Sequence, residues 1–117
     1  MVNKEHIVNV ASALGLPAPL TNWSGVDAIM PLLEKARMEG AVVVLKLDGE
    51  RGVGDNGPYT VLISGGPLGT DFIRADHHDL DEALMIVISR YAAQCWSMPL
   101  PHESKWVATE CPTSSER

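Results

Sequence analysis

The densest chemistry in the chain is the string Asp76-His77-His78-Asp79. Two imidazoles between two carboxylates are the side chains that bind divalent metals or pass protons, and they stand directly after an apolar run that reads as a strand. That chemistry needs convergence. Neighbouring residues in a turn point in different directions, so three of them meet one ion only with help from distant ligands. The competing reading is a polar turn leading into a helix capped by Asp79. Asp76, His77, His78 and Asp79 are therefore the candidate metal or catalytic set, and the plain turn is the stronger expectation.

Other chemical patterns are thinner. Gly52-Val53-Gly54-Asp55-Asn56-Gly57 fits G-x-G-x-x-G and follows a strand. A dinucleotide site requires a helix next, whose N-terminus takes the pyrophosphate, and here Pro58 opens another strand. The loop reads as a hairpin connection. Ser64 precedes Gly65-Gly66, but a nucleophile elbow would need glycine at 62, where Leu62 stands. His6 and His102 fall on a polar helix face and in the C-terminal stretch, as solvated side chains. Cys95 and Cys111 lack metal-ligand spacing and are read as reduced thiols. No cofactor and no catalytic residue is assigned.

Two resemblances bear on these residues. Asp76-His77-His78 resembles one motif of the DHH phosphoesterases over those three residues, and the further Asp and His motifs of that family have no counterpart here, so its activity is not carried over. The order helix, strand, strand, strand, helix resembles the double-stranded-RNA-binding domain. That resemblance implies a basic cluster at the start of the last helix, where this chain has Asp79, Asp81 and Glu82. Electrostatics makes nucleic acid an unexpected partner.

The elements that must position these residues lie between 41 and 91. Ala41–Leu47, with three consecutive valines, reads as a strand, as does Pro58–Ser64, and Asp71–Ala75 reads as a shorter edge strand. The glycine-rich connections 48–57 and 65–69 are too short and too turn-like for a crossover helix, which makes the sheet an antiparallel meander. Asp79 then caps a long helix by accepting the N–H of Glu82, and Leu80, Ala83, Leu84, Val87, Ile88 and Tyr91 form its continuous apolar face. Met85, Ile86 and Ala92 widen that arc, so a further element is expected beside it.

Upstream, Asn3 caps a helix with the stripe Ile7, Val10, Ala11 and Leu14, stopped by Gly15 and Pro17. A second helix is expected from Ser24, kinked at Pro31, with the stripe Val26, Ile29, Met30, Leu33 and Ala36 and a stop at Gly40; the alternative is a separate turn over 24–30 with the helix proper beginning near Pro31. The fold class is therefore α+β: a three-stranded antiparallel meander packed with helices, in the order α-α-β-β-β-α. Residues 1–107 are expected to form a single domain, with Trp96, Met98, Leu100 and Trp106 folded back on it. Residues 108–117 read as a frayed tail.

Charge and composition set the remaining bounds. The 117 residues carry a net charge of −6. Residues 71–82 hold Asp71, Asp76, Asp79, Asp81 and Glu82 against the single Arg74, a local −4 that favours basic partners over phosphate. With no leader and no apolar run of about 20 residues, the expected location is the cytoplasm, away from membranes. Strand parity shows one more feature. If Val43, Leu45 and Leu47 face the long helix, Val42 and Val44 face the other way, and Leu62 joins them. The first helix, the tail or a second copy must cover that side, with intramolecular cover preferred. The functional expectation is a non-enzymatic domain of protein–protein interaction, of regulatory kind, using Val42, Val44, Trp96 and Trp106, with a protein partner or self-association. The alternative is a small enzyme or metal-binding protein built on the 76–79 string.

Overall fold

A computed structural model of the chain describes residues 3–50 and 56–100. Trp106, His102, Cys111, most of the G-x-G-x-x-G loop and the boundary at 107/108 lie outside the described residues.

Helix α1 spans Lys4–Ala13. Asn3 caps it by accepting the His6 N–H at 2.9 Å, and the other end closes with Leu16 N–H donating to Ala11 and Gly15 N–H to Ser12. Those two bonds form a Schellman motif, which satisfies carbonyls the helix cannot reach itself. Ile7, Val10 and Ala11 are buried.

The second helical segment departs from expectation. Asp27–Ile29 is one 3-10 turn, and α2 proper runs Met30–Met38 with Pro31 in its first turn. Proline lacks an N–H, so it fits the first turn, where that donor has no intrahelical acceptor, and it breaks the frame of anything before it. Consequently there is no kinked helix from Ser24. The frame shift also moves the buried face to Ile29, Leu32, Leu33 and Ala36, while Met30 is exposed.

Strands β1 (Ala41–Leu47), β2 (Tyr59–Gly65) and β3 (Phe72–His77) form an antiparallel sheet in the order β1-β2-β3. This is the expected meander. Two details differ: β3 extends two residues beyond Ala75, because Thr60 pairs with Asp76 and Tyr59 with His77, and Leu47 is exposed at the end of β1. The 65–69 connection holds a short 3-10 turn that buries Leu68.

Helix α3 (Leu80–Cys95) lies across β2 and β3, with α1 against it, and α2 packs on β1. Its expected face is buried from Ala83 to Tyr91 and partly buried at Leu80, joined by Met85, Ala92 and Ala93, and all three helices share one core with Val61, Ile63, Ile73 and Ala75. The described residues thus form two layers. Asp79 is the N-cap as expected, but its carboxylate accepts the N–H of Asp81 at 3.0 Å instead of that of Glu82. Among the described residues no helix is long and apolar enough to cross a membrane.

Candidate functional site

Only the second half of the 76–79 string turns: His78 and Asp79 bend the chain into α3. Asp76 and His77 belong to β3, and their side chains take separate directions by strand alternation. The Asp76 carboxylate accepts from the Thr60 hydroxyl and from Arg74, whose Nε lies 3.1 Å away. His77 Nδ1 accepts the Asp79 N–H at 3.0 Å, so it helps to turn the chain into α3. His78 is exposed, its ring edge-on to that of His77 at 6.5 Å. Among the described residues no three His, Cys, Asp or Glu side chains gather where they could hold a metal ion. The four residues serve a strand end and a helix start.

The local acidity is also largely engaged. Asp81 accepts from the Gly25 N–H at 2.9 Å and the Ser24 hydroxyl at 2.9 Å, and pairs with Lys4 at 3.1 Å. Desolvation works to raise its pKa, but these donors outweigh it and hold the carboxyl below its ordinary value. Lys4 also donates to the Trp23 carbonyl, and the buried Trp23 returns its indole N–H to the Lys4 carbonyl at 3.2 Å. Ser24, expected as a helix cap, is instead part of this tie between α1, the 23–25 loop and α3.

Trp96 packs on the helical side of the molecule. Its indole N–H donates to Glu39 at 2.9 Å, its ring meets Tyr91 edge-to-face at 5.0 Å, and Lys35 sits 5.6 Å above it. The structure therefore does not bring Trp96 together with Val42 and Val44.

What the strands do assemble is an open face. Val43, Leu45, Val61, Ile63, Ile73 and Ala75 point into the core, so their neighbours point away from the helices. Val42 is 55% exposed, Val44 42% and Phe72 63%, and no described helix covers them. The expected intramolecular cover by the first helix is absent, since α1 packs on α3 at the opposite side of the sheet. Register orders this face into three rows: Val42–Ser64–Phe72, Val44–Leu62–Arg74 and Lys46–Thr60–Asp76. Arg74 leans toward Asp76 and Lys46 toward Asp48, at 3.5 Å. Lys46 and Asp76 thus stand at one end with Arg74 beside them in the middle row, and Val42, Val44, Leu62 and Phe72 make the rest of the face apolar around Ser64. Phe72 was not singled out by sequence. The parity of β3 would have found it, because Ile73 and Ala75 inward force Phe72 outward.

Compared with known protein families, curated proteins and solved structures, the chain matches none.

Proposed function

We propose that this chain is a non-enzymatic domain of protein–protein interaction whose docking surface is the open face of its sheet. The observation that supports it is the exposure of Val42, Val44 and Phe72 on strands whose alternate residues are buried or partly buried in the core. A continuous apolar patch bordered by charge is the composition of a contact surface, since leaving it in water forgoes the gain of burying it. Trp106 could extend this surface only from outside the described residues, and Trp96 is engaged with Glu39.

The test is photo-crosslinking in living cells at native abundance. A photoreactive phenylalanine analogue at position 72 is expected to give one discrete protein adduct, and the same group at Leu20, 77% exposed and off the sheet, is expected to give none. No adduct from position 72 would overturn the assignment.

A further inference from the structure

We infer that the occupant of the open sheet face is a second copy of this chain, packed face to face about a two-fold axis that runs along β2. The inference rests on the reading of that face as a docking surface and adds the identity and orientation of what docks.

The argument comes from the order of residues in the three rows. An axis along β2 lays β1 of one copy over β3 of the other and keeps each row opposite itself. Val42 then covers Phe72 of the other copy, Leu62 meets its own equivalent on the axis, Lys46 comes over Asp76 in both directions, and Val44 lies over Arg74. The two outer rows are self-complementary, and in the middle row the aliphatic stem of Arg74 can cover Val44 while its guanidinium stays with Asp76. Turning the axis across the strands would set Lys46 on Val42 and Asp76 on Phe72, which buries charge against apolar side chains at a cost.

Edge pairing explains less. Joining β1 to β1 would leave Phe72 and Leu62 in water, and joining β3 to β3 would bring the Asp71 and Asp76 carboxylates of two copies together. Charge on the face itself does not oppose contact. Although the chain carries −6 overall, Lys46, Asp48, Arg74 and Asp76 at the charged end balance one another. Lys46 is 58% exposed and Arg74 51%, whereas Asp48 and Asp76 are 22% and 18%, so it is the cations that can be shared across the contact while Asp76 keeps its bond from Thr60.

The strands are aligned within roughly 30° in such packings, with the sheets about 10 Å apart. Three strands at about 4.8 Å spacing and five residues at about 3.4 Å give a flat patch of roughly 250 Å². Stable complexes bury about 800 Å² per partner. The dimer is accordingly weak and dependent on concentration.

Sedimentation equilibrium over a wide concentration range tests this on the full chain. The wild type is expected to show a reversible monomer–dimer equilibrium, lost in Phe72→Glu and retained in Leu20→Glu, with both variants folded by circular dichroism. Lys46→Asp and Asp76→Lys each place like charges opposite one another and should weaken the dimer at least tenfold. Mixed in equal amounts, the two variants should restore it as a heterodimer that weakens with added salt, since each charge then meets its opposite. If Asp76→Lys does not fold, because Thr60 loses its partner, Asp76→Asn replaces it as the second chain and should recover only part of the affinity. A strictly monomeric wild type, a dimer indifferent to Phe72→Glu, or a mixture no tighter than its components would overturn the inference. Crosslinking of the purified chain at position 72, over the same concentration range, separates the two claims: an adduct of twice the chain mass supports both, its absence there together with an adduct of another protein's mass in cells overturns self-association alone, and no adduct in either setting overturns both.

Discussion

The Tyr91 hydroxyl donates a 2.7 Å hydrogen bond to the Glu39 carboxylate, tying the C-terminal part of α3 to the C-cap of α2 across 52 positions of sequence. Trp96 donates to the same carboxylate, and Lys35 pairs with it at 3.0 Å. Because the Tyr91 side chain is buried, its hydroxyl has no solvent to fall back on, and burial together with the neighbouring carboxylate pushes its pKa well above the ordinary phenol value.

Tyr91→Phe removes that donor without opening a cavity and is expected to cost about 1.5–3 kcal/mol, the range for a hydrogen bond to a charged group. Glu39→Ala should cost at least as much, because it strands both donors. Chemical denaturation measures both. A Tyr91→Phe midpoint equal to wild type would mean that the hydroxyl is hydrated in solution.

Acid should destabilise the fold through the same carboxylates. For Glu39, desolvation would raise the pKa, but bonds from Tyr91, Trp96 and Lys35 outweigh it, and Asp81 is depressed likewise by Gly25, Lys4 and Ser24. With folded values below unfolded ones near about 4, the unfolded chain binds more protons as pH falls. The stabilisation is full above the unfolded values and is lost as pH drops through the folded ones. His6, lowered chiefly by burial, adds loss of the same sign beginning at about pH 6.5. Denaturation midpoints from neutral pH to about pH 2 should fall steadily. In Glu39→Gln/Asp81→Asn the acid part of that slope should flatten, from a lower starting stability.

Gly57→Ala should destabilise by roughly 2 kcal/mol or more. Gly57 has φ +109°, and a Cβ there would lie 2.3 Å from the His77 carbonyl carbon and oxygen, which are backbone atoms that cannot swing aside. Thermal unfolding of the variant gives the answer, and an unchanged Tm would show that the β2–β3 end tolerates a shift.

The three polar residues before α3 should separate by role. Asp79→Ala is expected to cost about 0.5–2 kcal/mol as a lost N-cap. His77→Ala should cost up to about 1 kcal/mol through the lost acceptor for the Asp79 N–H. His78→Ala, exposed, should be within about 0.5 kcal/mol of wild type. A urea series ranks them, and His78 ranking first would reopen a site at this turn.

Leu84→Ala should cost about 2–5 kcal/mol, as Leu84 is fully buried in the single core shared by sheet and helices. A smaller loss would mean that α3 collapses readily onto the vacated space.

Local pattern determined much of this molecule. Three valines at 42–44, glycine-rich connections too short for a crossover, and apolar residues from Leu80 to Tyr91 at helical spacing specify the meander and the helix that lies on it, because each rests on neighbours in sequence. The caps at Asn3 and Asp79 and the stop at Gly15 are legible for the same reason. Pro31 was visible, but whether it kinks a helix or begins one depends on how Ile29 and Leu32 pack, and the core decided that in favour of a new start. Asp81 and Glu39 read in sequence as ordinary surface acids. Only the fold brings Gly25 and Lys4 to the one, and Tyr91 and Trp96 to the other, from more than 50 positions away. Alternation showed that Val42 and Val44 oppose Val43 and Leu45. That no described helix covers their side follows from the placement of α1 on α3, a contact set by burial over the whole domain and by no residue taken alone.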